Sequence, residues 1–340
     1  MRPLYSLIIP FHSPSIEMVT RLFNSLVQQG PEIYKTQIIA VDDNSPDTSY
    51  QNYISTNYKN LNVELMATDC TIHCPGNTRK EGMRHVEGEY VFFCDQDDYF
   101  EPEILSKVTK FINSFDYKPW VVSTIVSSYN QEDQVYESLL RHKRAWLHGK
   151  FYNVDDLIRP YNIDFKENLV THEDIFFNSV VAAVLLENNR EYSTLDIKTY
   201  RWVNNRESLT RQKRTDRGYF YENFMDYVSS AAEPFWSKAQ KGNNNAFAHQ
   251  VMMTLLHCYF YYEAASYYEG PQRYKDIAKI IEDLIKAIVT ELGYSLDDIV
   301  NYLYMDPIIF EDVLEDCRLI TGFFIPKTSL RDFIYHLGQR

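Results

Sequence analysis

The chain of 340 residues is short of cysteine, of basic charge and of long apolar runs, and each shortage excludes something. Five cysteines, at positions 70, 74, 94, 258 and 317, are too few and too scattered for a disulfide-stapled secreted scaffold. They fit a reduced, cytoplasmic setting. No run of about 18 apolar residues occurs, so no transmembrane segment is expected. The opening MRPLYSLIIPFHSP reaches Pro10 and His12 too soon for a secretory signal. Lysine and arginine number 34 against 47 aspartates and glutamates, a net charge of −13. A protein whose main task is gripping a nucleic-acid backbone needs a net basic surface, so nucleic acid is disfavoured as a partner. Internal repeats and low-complexity tracts are also missing, while 45% apolar and 24% charged residues give the balance of a folded globular chain. At about 150 residues per domain, one large or two smaller domains are expected.

What is present is a regular alternation. Apolar strand-like runs at Leu4–Pro10, Gln37–Val41, Asn62–Met66 and Glu89–Cys94 alternate with amphipathic stretches near Ile16–Gln28, Thr48–Tyr58 and Asn77–Val86. That pattern predicts an α/β fold with a mainly parallel central sheet and helices on both faces. Further on come a strand over Trp120–Ser127, a helix from about Glu173 to Glu187 and a strand over Ser193–Val203. From about residue 219 the pattern turns helical, with breaks such as Gly242-Asn243, Gly270-Pro271 and Asp306-Pro307. The expected division is therefore a domain over 1–218 and a helical one over 219–340. The second holds 13 of the 27 tyrosines. Acceptor binding or homo-oligomer contacts are the roles expected of it.

Ligands of parallel sheets bind beyond the carboxyl ends of the strands. Two acidic groups stand there, Asp42-Asp43 and Asp95-Gln96-Asp97-Asp98. Carboxylates two apart at a strand end suit Mg²⁺ or Mn²⁺. The plainer alternative is a solvated acidic turn that caps a helix begun at Glu101-Pro102. Glu173-Asp174 poses the same choice, since acidic residues in a first helical turn are ordinary partners of the helix dipole, with Thr171 as a cap. Residues 201–217 carry six basic and two acidic residues, as a phosphate site or a basic linker would. A second basic patch over Arg141–Lys150 includes Trp146 and His148, which either face an acceptor or pack. Cys70, His73 and Cys74 lack the second pair that completes a tetrahedral zinc set, which favours a plain loop. His249, His257 and the tyrosines at 259–262 and 267–268 read more simply as helix packing than as ligands or sugar platforms.

In order, Pro10-Phe11, Val41-Asp42-Asp43-Asn44-Ser45, Thr78-Arg79-Lys80, Asp95-Gln96-Asp97-Asp98 and His172-Glu173-Asp174 resemble the motifs of glycosyltransferase family 2, on the GT-A fold. The resemblance covers about residues 4–212. It implies that Pro10, Phe11 and Asp43 hold the nucleotide base, that Asp95 meets the ribose, and that Asp97 binds the metal, Mn²⁺ or Mg²⁺. Arg79 would lie near the diphosphate, although the family usually has Arg-Asn where this chain has Arg79-Lys80. Asn205 to Arg211 resembles the segment that closes over the diphosphate, which makes Arg206 and Arg211 its cations. Asp174 would be the catalytic base.

These expectations add up to a metal-dependent, inverting transfer of one sugar from a nucleotide sugar, a UDP-sugar, to a hydroxyl of a surface glycan, teichoic acid or glycoprotein-type acceptor. An inverting transfer needs one base, because the diphosphate leaves without a general acid; glycoside hydrolysis needs two carboxyl groups. Two other classes compete. A nucleotidyltransferase relies on a Gly-rich N-terminal phosphate loop, which Pro10-Phe11-His12-Ser13-Pro14 lacks. A non-catalytic sugar-nucleotide or glycan-binding protein would not need the acidic pair and a base together. Modified phage DNA is the alternative acceptor, disfavoured by charge. No Gln-x-x-Arg-Trp motif of the processive synthases occurs; Thr199-Tyr200-Arg201-Trp202 only echoes its end.

Overall fold

The computed structural model describes residues 2–130, 135–141, 146–169 and 172–204, with seven isolated positions between 272 and 297. The chain divides into two units, Met1–Ser208 and Leu209–Arg340. The fold below is that of the first. The helical domain expected over 219–340 lies outside the described residues, apart from helical positions such as Gln272 and Lys279.

Strands β1 (Tyr5–Phe11), β2 (Gln37–Asp42), β3 (Asn62–Ala67) and β4 (Tyr90–Phe93) pair in parallel in the order β3-β2-β1-β4. Between them run helices α1 (Ile16–Val27), α2 (Ser49–Asn57) and α3 (Pro75–Arg84), close to the expected bounds. The second half departs from expectation. After β5 (Tyr99–Phe100) and α4 (Ile104–Ile112), the chain doubles back through β6 (Val121–Asn130), β7 (Val135–Arg141) and β8 (Lys150–Asn153). A π-helical turn (Val154–Ile158), α5 (Glu173–Glu187) and β9 (Ser193–Asn204) complete the unit.

The nine-stranded sheet runs β3-β2-β1-β4-β8-β6-β9-β5, with β7 paired to β6. It is mixed rather than mainly parallel. Strand β8 is antiparallel to both β4 and β6, and β5 is antiparallel to β9. The physical reason is connectivity: β6 and β7 pair antiparallel, which needs only a hairpin, whereas a parallel neighbour needs a crossover helix.

Helices do cover both faces, as expected, and period-two alternation divides the core. Leu7, Ile9 and Phe11 of β1, Ile38 and Ala40 of β2, and Tyr90 and Phe92 of β4 turn to one face. There they meet Val19, Leu22, Phe23 and Leu26 of α1 and Ile104, Leu105, Val108 and Ile112 of α4. Ile8, Ile39, Val41, Val91 and Phe93 turn the other way, to Phe177, Val181, Val184 and Leu185 of α5. The sets on α1 and α4 recur every three to four positions, so each of these helices presents one apolar stripe, whereas α5 is apolar nearly all round. On that second face α3 comes so near β1 that a methyl on Gly82 would lie 2.7 Å from Ile8 Cγ2. Close packing of this kind holds the first turn of α3 over the carboxyl ends of β1, β2 and β4.

Candidate active site

Two of the acidic groups divide their labour residue by residue. In the first, Asp42 accepts from Tyr50 Oη (2.7 Å), from the Ser45 amide (2.9 Å) and from Ser45 Oγ. Three donors on one buried carboxylate make it a brace for the turn after β2. Its neighbour Asp43 is anchored through its backbone instead, the amide donating to the Phe11 carbonyl at 2.7 Å. Asp43 Oδ1 lies 3.0 Å from His73 Nδ1, and the Asp43 carbonyl lies 2.9 Å from His12 Nδ1. Phe11 itself is buried against Tyr50, ring centroids 5.1 Å apart, so its side chain belongs to the core. Pro10 is half-buried beside it.

The second group is tied down member by member. Gln96 clasps the end of β1, accepting from the His12 amide (2.8 Å) and donating to its carbonyl (3.1 Å). Asp98 is buried and accepts from Tyr200 Oη (2.6 Å) and the Val203 amide (2.7 Å), which fastens β9 to the site. Burial raises its pKa well above the usual range, and the charges of Asp97 and Asp95 push the same way. Tyr200 Oη also accepts from the Asp95 amide at 3.1 Å. The half-buried Asp97 receives Arg21 Nη2 on its carbonyl at 2.5 Å.

Arg79 is the centre of the arrangement. Only 4% of its side chain is exposed; Nη1 donates to Glu173 Oε1 (2.6 Å) and Nη2 to Asp95 Oδ1 (2.5 Å). Its buried Nε has no hydrogen-bond partner among the described residues. Burial alone would lower the Arg79 pKa, but Asp95 and Glu173 outweigh it and raise it. The other oxygen of Asp95 lies 3.2 Å from His148 Nε2. Burial pushes Asp95 up, yet Arg79 and His148 overcome that and hold it well below the usual carboxylate range. The His148 ring stacks on Tyr200, centroids 4.6 Å apart at 27°.

Glu173 reaches Arg79 because α3 and the segment before α5 are laced together. Asn77 Nδ2 donates to Asn168 Oδ1 (3.2 Å), the Asn168 amide returns to Asn77 Oδ1 (2.9 Å), and Lys80 Nζ sits 3.0 Å from Glu167. Lys80, where the family usually has Asn, thus braces the site from outside. Gly76 lets the two elements close, since a methyl there would lie 2.9 Å from Glu173 Cβ. Asp174 follows in the first turn of α5, Oδ1 accepting from the Ile175 amide at 2.8 Å. Burial and then the charge of Glu173 push its carboxyl up to about 7. A carboxyl titrating there takes a proton near neutral pH.

The ligand atoms of Asp95, Asp98 and His148 all lie within 4.8 Å of one another. Two carboxylates and an imidazole form a donor set that suits Mn²⁺, and Mg²⁺ less well because of the nitrogen. Both oxygens of Asp98 already have protein donors and Asp95 Oδ1 is taken by Arg79, so a cation would have to enter between Asp95 Oδ2 and His148 Nε2, in place of their contact. Asp97, the expected ligand, is not a member of that cluster.

The family model of glycosyl transferase family 2 matches residues 6–187, more than half of the chain and every element that carries this site except β9. The chain belongs to glycosyl transferase family 2. It is 28% identical over 213 residues to the poly(ribitol-phosphate) β-N-acetylglucosaminyltransferase TarS of Staphylococcus aureus, over 60% of this chain and 36% of that protein. A poly(ribitol-phosphate) β-glucosyltransferase of Bacillus spizizenii is 32% identical over 102 residues, 29% of this chain and 16% of that one. This chain thus matches only about a third or less of the length of these relatives. The crystal structure of S. aureus TarS 1–349 superposes with a TM-score of 0.62 at 20% identity, covering 100% of this chain and 92% of that one. At that identity the likeness is one of fold, and it supports the GT-A-like reading of the mixed sheet.

Within this family 2 site, the five expected residues Asp43, Arg79, Asp95, Asp97 and Asp174 come from four separate segments to the carboxyl edge of the sheet. Arg206 and Arg211 lie outside the described residues. Three participants escape a reading of motifs alone: Glu173 as the partner of Arg79, His148 as the partner of Asp95, and Tyr200 as the hub of β9. His148 stood in a patch already marked by its basic neighbours. Nothing local marked Tyr200. Among the described residues, no helix is long and apolar enough to cross a membrane.

Proposed function

We propose that this family 2 member transfers one sugar, with inversion, from a UDP-sugar to a hydroxyl of a phosphate-linked polyol chain of the teichoic acid kind. The observation that carries the reading is Asp174. It is a half-buried carboxyl pushed up to about 7 by burial and by Glu173, on the helix start that Arg79 ties to Asp95. The acceptor hydroxyl attacks the anomeric carbon from the face opposite the diphosphate. A new C–O bond forms there as the bond to the phosphate oxygen breaks, and the hydroxyl proton passes to Asp174. The departing diphosphate takes the electron pair and needs no acid.

Asp43 would meet the base, with Pro10 and Phe11 shaping the floor through their backbone, and Asp95 the ribose. A divalent cation, Mn²⁺ or Mg²⁺, held by Asp97 with Asp95 and His148 beside it, would supply positive charge next to the diphosphate. Arg206 and Arg211 are the further cations proposed for that charge. Arg79, with both terminal nitrogens on protein carboxylates, acts by positioning. The donor and acceptor classes draw support from the relatives. Both named enzymes act on poly(ribitol-phosphate), one with N-acetylglucosamine and one with glucose, and TarS 1–349 has been crystallised with UDP and with UDP-GlcNAc.

Asp174→Asn tests the base. Transfer from UDP-GlcNAc should fall by roughly 10²–10⁴-fold, while thermal stabilisation by UDP with Mn²⁺ is kept. Transfer at the wild-type rate would overturn the assignment.

A further inference from the structure

A second cleft lies at the other end of the same sheet. Strands β4 and β6 run the same way, because each is antiparallel to β8 between them. The candidate active site is beyond the carboxyl end of β4, whereas Trp120 stands just before the amino end of β6. Ser193 and Thr194 open β9, which runs parallel to β6 from that same end. With Phe115, Tyr117 and Arg190 these residues line a cavity of about 520 Å³. The two sites are separated by the length of the strands, on the order of 15–20 Å at about 3.3 Å per residue.

Arg190 gives this cleft its chemistry. The guanidinium lies 5.3 Å from the ring centroid of Tyr117 and 5.3 Å from that of Trp120, so two aromatic faces fix an exposed cation. It has no ion pair among the described residues. An arginine held by rings keeps its N–H edge free for a planar or tetrahedral oxyanion. Around it are groups of another kind: Glu191, Asn189, Ser193 and Thr194 offer donors and acceptors for hydroxyls. Tyr117, 54% exposed, offers apolar surface to a carbon chain. Glu191 on the rim argues against a bare polyanion and for a ligand in which phosphate and hydroxyls alternate.

We infer that this cleft docks a phosphodiester-linked polyol chain, with Arg190 on a phosphate and the neighbouring polar groups on hydroxyls. It is a hold on the polymer remote from the chemistry. The chemical class rests on the proposed acceptor; the location does not.

The test uses the full chain and a synthetic ribitol-phosphate octamer, its dissociation constant measured at low salt by thermophoresis, with a neutral dextran oligomer as control. Arg190→Ala should weaken the octamer roughly tenfold, and Arg190→Lys should restore only part of this, because an ammonium cannot make the guanidinium's bidentate contact to a phosphate. UDP affinity should not move in either variant. Octamer binding equal in Arg190→Ala and wild type, or absent from wild type, would overturn the inference. So would a dextran oligomer that binds as tightly as the octamer. If polymer is glycosylated while Arg190→Ala binds it normally, the acceptor reading stands and the cleft falls. If Arg190→Ala weakens the octamer but no sugar reaches it, the cleft stands and the acceptor reading falls.

Discussion

Arg79 and Arg190 stand at opposite ends of one sheet and are held by opposite means. Arg79 is buried between two carboxylates, which fix its charge in a dry place and leave it nothing to offer a ligand but its field. Arg190 is exposed beside two rings, which hold it in place and leave it without an ion pair among the described residues. The first is therefore suited to ordering a catalytic shell, and the second to catching something. The contrast explains why a basic residue in a sequence motif does not by itself mark a phosphate contact. What decides is whether the fold brings acid or aromatic surface to it.

That contrast can be broken most severely at Arg79. Arg79→Met removes the cation that Asp95 and Glu173 share, and removing one partner of a buried ion pair typically costs about 3–5 kcal/mol. Urea denaturation should register that loss, and near-wild-type stability would mean that the three groups are not a unit. Gly76→Ala is the next largest. Its methyl would lie 2.9 Å from Glu173 Cβ, and overpacking of this kind costs about 1–3 kcal/mol. The midpoint should drop, and kcat should fall more than UDP affinity, because α5 carries the proposed base.

Glu173→Gln is the mildest. Its amide oxygen still accepts from Arg79, but a negative charge beside Asp174 is gone. The rising limb of kcat/KM against pH, expected near 7 in the wild type, should move to lower pH. The stability sign follows from linkage. Asp174 has a folded-state pKa raised above its unfolded value, so folding favours its protonated form. Its contribution is fully present below about 4 and is lost as pH rises towards 7. That decline should shrink in Glu173→Gln. A pH profile identical to wild type would separate Asp174 from the Glu173 charge.

The parallel half of the fold was legible because its signals are local. β1, β2 and β4 alternate between two apolar faces, and α1 repeats its apolar stripe, so period and length are enough. Strand β8 was not legible. Lys150-Phe151-Tyr152-Asn153 begins and ends with polar residues, yet all four are buried, and Lys150 Nζ finds the Trp146 carbonyl. The site divided in the same way. Asp43, Asp95, Asp97 and Asp174 declare themselves by their place at element ends. The Arg79–Glu173 pair joins residues 94 positions apart, and only the tertiary fold brings them together. Arg190 carried no motif, since its partners are rings in the distant connection between α4 and β6.

The two acidic runs each hold one carboxylate that faces inward. Asp42 secures the turn after β2, and Asp98 secures β9. An alanine scan scored by turnover would list both as essential, alongside residues that touch the donor, and for an unrelated reason. Soluble yield and melting behaviour, rather than rate, would tell the inactive from the misassembled. In this chain, Asp43 of one run and Asp95 and Asp97 of the other carry the chemical question. The remaining two report whether there is a folded protein to ask it of.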